Sequence, residues 1–362
     1  MRFVQAWPAQ VGPPMVTSLG PRVQMGLLAF QDALGRHASS TQNTYASQWR
    51  WFELFCRSRG VPPWIAPDEQ GEILLRDFVL YCTRGPIRWA PSTLKVRMSA
   101  IRARFLAAGS EDPTENMSVP YAILKAYQRN WTKKERRKPI TVGMLIAFSQ
   151  TMNYLARADD AVLSCAIFAG FFLLLRVSEI VWEDGATRRK GVRGSDFTPL
   201  RDGLPVASFA EANEVSLHIQ GSKTDQLNRA EKRCYFPSGH PQVCLIATLK
   251  AMERHFPQRF AVEDADPLFR WNNGKPVLRI HIQAALEKAA ALMGVPSCEI
   301  GTHSLRFGGA SALWAAFGDT GLVRRWGRWK SDSFHGYLWD AQDMARGYAK
   351  GMMESNVTPS RA

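Results

Sequence analysis

Thr302-His303-Ser304-Leu305-Arg306-Phe307-Gly308-Gly309 opens a helix that sets an imidazole and a guanidinium on one face. With Thr302 as N-cap, His303 and Arg306 stand three residues apart in the first turn. Unpaired backbone N–H groups and the helix dipole favour an anion there. Arginine adds a planar fork for phosphate oxygens and histidine a second donor. Gly308 and Gly309 signal close approach by another backbone or by DNA. An isolated H-x-x-R is common by chance, so its weight depends on its neighbours.

Downstream, Gly327-Arg328-Trp329-Lys330-Ser331-Asp332-Ser333-Phe334-His335-Gly336-Tyr337 supplies an indole donor at Trp329 and, at Tyr337, a phenol able to attack phosphorus. Read alone, both would be ordinary core aromatics. Upstream, residues 161–175 form an apolar run, expected as a buried helix capped by Asp159-Asp160 and ending around Arg176. A guanidinium at that place must face a pocket, an acid or a ligand, and Glu179 is one available partner. Residues 214–220 alternate with period two and lead into Gly221-Ser222-Lys223-Thr224-Asp225, with a return strand from Arg233. A hairpin lysine such as Lys223 can serve as a mobile cation and proton donor, although most turn lysines are merely solvated.

The remaining pattern is helical. Thr141 caps a helix over 142–150, and further helices are expected over 243–255, 280–293, 302–317, 321–328 and after Asp332. Before them, residues 36–132 read as a small basic all-helical domain. One helix follows Ser39-Ser40-Thr41 with Tyr45, Trp49, Phe52 and Cys56 on a stripe; others cover 72–83 and 119–131. The helix after Pro91 carries Leu94, Met98, Ile101 and Phe105, flanked by Lys95, Arg97, Arg102 and Arg104 as candidate phosphate contacts. A basic linker over 133–140 follows, with Lys133, Lys134, Arg136, Arg137 and Lys138 suited to lie along phosphates. Residues 1–35 are expected to be irregular, 141–350 a second domain and 351–362 a tail.

The chain of 362 residues has a formal charge of +14, the sign expected of a protein that meets a polyanion. Residues 1–139 carry a net +10 and residues 140–362 a net +4, so the first part is the main electrostatic grip. Six scattered cysteines form no C-x-x-C pair and no ligand cluster with histidine, which argues against zinc and for a reducing intracellular compartment. No secretory signal is visible, and the apolar run is shorter than the roughly 20 residues of a membrane span.

The series arginine, hairpin lysine, H-x-x-R, G-x-W and tyrosine, in that order, resembles the catalytic domain of tyrosine recombinases and phage integrases. The resemblance extends over about residues 36–350 and is strongest in 168–179, 221–226 and 302–337. It implies a mainly α fold: a small all-helical core-binding domain, then a mostly helical catalytic domain with a small antiparallel sheet. It further implies that Tyr337 attacks a DNA phosphate to give a 3′-phosphotyrosyl link. Arg176 and Arg306 would neutralise the non-bridging oxygens, with hydrogen bonds from His303 and Trp329. Lys223 would protonate the leaving 5′-oxygen and Glu179 would orient its neighbours. Neither metal nor cofactor is implied; the partner is double-stranded DNA, bound by a homotetramer. Trp329 stands where the family usually has a second histidine, and its interval to Tyr337 is one residue shorter than in most phage and bacterial members. The wording Ser222-Lys223-Thr224-Asp225-Gln226, with Gly327-Arg328-Trp329 and this short interval, is closer to DIRS-like and Crypton recombinases of eukaryotic mobile elements, which implies a nuclear setting. The alternatives are a catalytically silent DNA-binding descendant and a type IB topoisomerase.

Overall fold

The computed structural model describes residues 39–115, 117–132, 137–181, 191–219 and 231–338, with four further positions before residue 39. The chain divides into two compact units, Met1–Lys134 and Glu135–Ala362.

The first unit is built from α1 (Ser39–Ser58), α2 (Glu69–Arg84), α3 (Pro91–Ala107) and α4 (Ser118–Asn130). The helix starts follow from their sequences. Asp68 caps α2 by accepting from the Gly71 N–H at 2.8 Å, and Glu69 and Glu72 complement the dipole in its first turn. Pro91 opens α3, where its missing N–H costs nothing. The expected stripes meet in one core: Trp49, Phe52 and Cys56 of α1 pack with Phe78 of α2 and Leu94, Met98, Ile101 and Phe105 of α3. Phe52 meets Phe78 edge-on at 5.2 Å between ring centroids. Ser39, Ser40 and Thr41 fall within α1 and not ahead of it.

The second unit is organised around α6 (Ala158–Phe172), in which residues from Ala161 to Phe171 are almost wholly enclosed. Packed around it are α5 (Val142–Gln150), which Thr141 caps as expected by accepting from the Met144 N–H at 3.2 Å, and α8 (Leu245–His255). A four-stranded antiparallel sheet has the order β2-β1-β3-β4 among the described residues, with β1 Phe197–Arg201, β2 Leu204–Pro205, β3 Glu214–Ile219 and β4 Glu231–Tyr235. Its register pairs Phe197 with Leu217 and Leu217 with Arg233, so Val215, Leu217 and Ile219 of β3 add to the core. The unit continues with α9 (Arg279–Ala291), α10 (His303–Phe317), α11 (Thr320–Trp326) and a 3-10 turn over Asp332–Tyr337. Among the described residues no helix is long and apolar enough to cross a membrane.

Three expectations about these elements are corrected. The apolar helix does not run to Arg176. It stops at Phe172, Leu174 turns into the left-handed region at φ 48°, and Arg176 becomes the N-cap of a new one-turn helix, α7 (Val177–Ile180). The apolar sequence continues unbroken through this break because Leu173, Leu174 and Leu175 are all buried, so hydrophobicity carries no sign of it. The aspartates sit in the first turn of α6, whose cap position is Arg157, and neither closes a side-chain cap there. Thr302 likewise makes no side-chain cap; the Ser304 hydroxyl instead accepts from the Gly301 N–H, ahead of the helix, at 3.0 Å.

The glycines of α10 are needed for helix packing. A Cβ on Gly308 would overlap the Ile140 carbonyl oxygen, and one on Gly309 would overlap that of Phe171. The close approach anticipated at these positions is therefore made by backbone, and it locks α10 against α6 and the start of α5.

Candidate active site

The break after α6 brings the first site residue into place. Arg176 keeps 18 % of its side chain exposed and donates from Nη1 to Glu179 Oε1 at 3.0 Å, while its backbone N–H donates to Glu179 Oε2 at 2.8 Å. Glu179 is buried, and a second arginine holds it. Arg328 donates from Nη1 to Oε1 at 3.1 Å and from Nη2 to Oε2 at 2.6 Å. Burial alone would raise the Glu179 pKa, but Arg328, the Arg176 N–H and the Arg176 charge outweigh it and hold the carboxyl below its ordinary value.

Arg306, in the first turn of α10, is 1 % exposed. It donates from Nη1 to the Leu174 carbonyl at 2.6 Å and from Nη2 to the Gly327 carbonyl, and its guanidinium lies 4.4 Å from the Trp329 ring centroid. The expected fork onto a phosphate is thus engaged with carbonyls, one layer beneath the surface. His303, one turn earlier, is exposed and stacks on Phe307. Partial desolvation first, then the charges of Arg306, Arg279, Arg137 and Arg176, push its pKa below the ordinary histidine value. Arg137, from the basic linker, reaches this place because Gly301 has no side chain: a Cβ there would overlap the guanidinium.

The loop after α11 closes the site. Gly327 ends the helix, Arg328 takes φ 58°, and the Trp329 ring folds back over Gly327, where any Cβ would overlap it. Trp329 is 9 % exposed and packs with Leu174, Ala310, Val323 and Phe334. Arg324 ties the loop down by donating to the carbonyls of Trp329 at 3.3 Å and Lys330 at 3.0 Å. From the sheet, Arg233 of β4 donates to the Arg325 carbonyl at 2.8 Å and lies over the Trp326 ring. The Trp326 indole donates to the Phe172 carbonyl at 2.8 Å, so α6, α11 and β4 are fastened together beneath the site. The 3-10 turn after this loop ends at Tyr337.

Arg176, His303, Arg306 and Trp329 therefore come together. Lys223 lies outside the described residues, and so does the side chain of Tyr337. Sequence reasoning missed Arg328 and Arg279. The signal for Arg328 was Glu179, since a carboxylate in so apolar a segment needs more positive charge than one partly exposed arginine supplies.

The candidate DNA contacts divide. Lys95 and Arg102 are exposed, Arg102 pairing with Asp112 at 2.8 Å, and Arg104 lies over the Trp49 ring. Arg97 is corrected: it is buried, donating to Gln48 at 3.0 Å and to the Cys82 sulfur, with its guanidinium 4.1 Å from the Trp89 ring centroid and 5.0 Å from that of Trp51. Three aromatic and thiol neighbours on α1, α2 and the turn before α3 draw it inward. Lys138 pairs with Glu299 at 2.6 Å. Lys133, Lys134 and Arg136 lie outside the described residues.

No family model matches the sequence, and no curated protein matches it. Solved structures do. The chain is similar to the XerH site-specific recombinase bound to palindromic difH substrate in a post-cleavage complex, at 18 % identity and a TM-score of 0.56, covering 94 % of this chain and 92 % of that one. It is also similar to XerH bound to difH substrate in a pre-cleavage complex, at 17 % identity and a TM-score of 0.52, covering 92 % and 91 %. The fold is that of a tyrosine recombinase. Both units fall within the matched length, and the four-stranded sheet and the motifs of α7, α10 and the 327–337 loop belong to the second of them.

Proposed function

We propose that this protein is a site-specific DNA recombinase that cuts and rejoins duplex DNA through Tyr337. The observation that carries this reading is the convergence of Arg176, His303, Arg306 and Trp329, from three distant segments, beside the loop that leads to Tyr337. Such a cationic pocket suits a phosphodiester. The Tyr337 phenol attacks phosphorus in line, its proton passing to solvent or a neighbouring base. The bond to the 5′-oxygen breaks, and a 3′-phosphotyrosyl ester and a free 5′-hydroxyl result. Rejoining reverses these steps with a new 5′-hydroxyl, so the energy of the phosphodiester is kept in the ester.

Arg176 and His303 meet the phosphate at the surface. Arg306 adds its charge from beneath, where the low dielectric strengthens its effect on an oxyanion. Lys223 protonates the leaving 5′-oxygen. The duplex is gripped over residues 36–132 by Lys95, Arg102 and Arg104 and along the linker by Lys133, Lys134, Arg136, Arg137 and Lys138. The resemblance implies a homotetramer assembled on DNA, and the motif wording favours a chain encoded by a eukaryotic mobile element and working in the nucleus.

A suicide duplex, nicked just 3′ of the scissile phosphate so that the short fragment bearing the freed 5′-hydroxyl diffuses away, tests this reading. The wild-type protein is expected to accumulate a covalent protein–DNA adduct and Tyr337→Phe none. If both bind DNA and neither forms the adduct, the chain is a DNA-binding module only. Relaxation of supercoils at random sites without joined products points to a type IB topoisomerase.

A further inference from the structure

Arg328 has no place in the recombinase series, yet it is among the most constrained residues of the second unit. Its side chain is 2 % exposed, its backbone is left-handed without being glycine, and both terminal nitrogens grip the Glu179 carboxylate in the parallel two-bond geometry. Residues 179 and 328 are far apart in sequence, so this pair clamps α7 to the loop after α11. Glu179 in turn holds Arg176 through both backbone and side chain. On the opposite side of the same loop, the carbonyl of Gly327, next to Arg328, accepts from Arg306. One buried carboxylate and two adjacent residues therefore fix both arginines of the site.

We propose that Arg328 is a positioning residue for DNA cleavage: through Glu179 it holds the Arg176 guanidinium where the non-bridging oxygens of the scissile phosphate develop charge. This rests on the recombinase reading above. Arg328 is itself too buried to touch DNA, so its effect passes through Glu179. Removing it leaves the carboxylate with Arg176 alone. Arg176 is then drawn further onto Glu179 and away from phosphate, and small misplacements of a catalytic group cost on the order of 10²-fold in rate.

The test uses the full-length protein and compares wild type, Arg328→Lys, Arg328→Met and the double variant Arg328→Met/Glu179→Met. Replacing both partners of a buried ion pair by apolar side chains is often neutral for stability. The double variant therefore separates folding from positioning. Melting temperature, duplex affinity and single-turnover adduct formation are measured on two suicide duplexes. One carries the natural phosphodiester; the other carries a charge-neutral methylphosphonate at the scissile position.

The expected result is a double variant that melts and binds DNA like wild type but cleaves the phosphodiester on the order of 10²-fold more slowly. Its deficit should shrink at least tenfold on the methylphosphonate, which has no charge for Arg176 to neutralise. Arg328→Lys, which keeps the charge without the fork, is expected to fold and to cleave the phosphodiester at least tenfold more slowly. Cleavage of the phosphodiester at the wild-type rate by Arg328→Lys or by the double variant overturns the proposal. So does an equal deficit on both duplexes, which marks a general structural role. If the wild type itself forms no adduct, the recombinase reading fails and this proposal with it; a wild-type adduct with unaffected variants removes this proposal alone.

Discussion

At His303 the local field sets the proton. The surrounding protein and the guanidiniums of Arg306, Arg279, Arg137 and Arg176 disfavour the imidazolium, so the ring is neutral near pH 7 and offers one donor and one acceptor. A bound phosphate would offset those charges and draw the pKa back up. In an NMR titration, the His303 midpoint is expected below the ordinary value of about 6.5 in the free protein and to rise when duplex DNA is added. A midpoint unmoved by DNA contradicts the placement of this ring at the phosphate. The same shift bears on stability. The folded state binds this proton less readily than the unfolded state, so its contribution is intact above about pH 6.5 and is lost as pH falls through that value towards the folded pKa. Glu179 has the carboxylate version of that dependence: its contribution is present at neutral pH and disappears only as pH falls below the ordinary carboxyl range. The sequence made His303, Arg306 and Trp329 legible as residue types at set spacings. For Arg328 it held only the indirect signal of Glu179 in an apolar segment, which asks for a second cation but does not say which distant arginine supplies it.

The elements that carry these residues were legible where periodicity and caps agree and obscure where they do not. Thr141 and Pro91 mark their helices directly, and the stripe Leu94, Met98, Ile101 and Phe105 turns inward as its spacing demands. The break after Phe172 escaped notice because three buried leucines continue the hydrophobic run while the backbone turns over at Leu174. That turn matters, since it presents the Leu174 carbonyl to Arg306 and starts α7 at Arg176. The packing of α10 permits a sharp test. Gly309→Ala places a methyl group on the Phe171 carbonyl, and relief requires the two helices to separate. Overpacking of this kind costs about 2 kcal/mol, read as a lowered urea midpoint with an unchanged slope. A stability equal to that of wild type contradicts the helix contact described here.

Over the whole molecule, charge and burial pull apart. The net charge of +14 pointed to a polyanion and the residues 1–139 to its grip, but charge counting treats every arginine alike. Arg97 spends its charge inside the first unit against Trp51 and Trp89, while Lys95, two residues away, faces solvent. Their variants are expected to diverge. Lys95→Ala should flatten the dependence of log affinity on log salt by about 0.9, the contribution of one phosphate contact. Arg97→Ala should leave that slope alone and cost about 2 kcal/mol of stability through the lost packing. A flattened slope in Arg97→Ala at unchanged stability contradicts the burial of Arg97.

The central claim is that Tyr337 carries the covalent bond to DNA. Trypsin cleaves after Lys330 and Arg346, so residues 331–346 form one peptide in which Tyr337 is the sole tyrosine, and Tyr348 falls in the next. After trapping on the suicide duplex, nuclease digestion and mass spectrometry should find the residual nucleotide on the 331–346 peptide, at Tyr337. A nucleotide on any other peptide, or no modified peptide at all from protein that binds the duplex, contradicts the account.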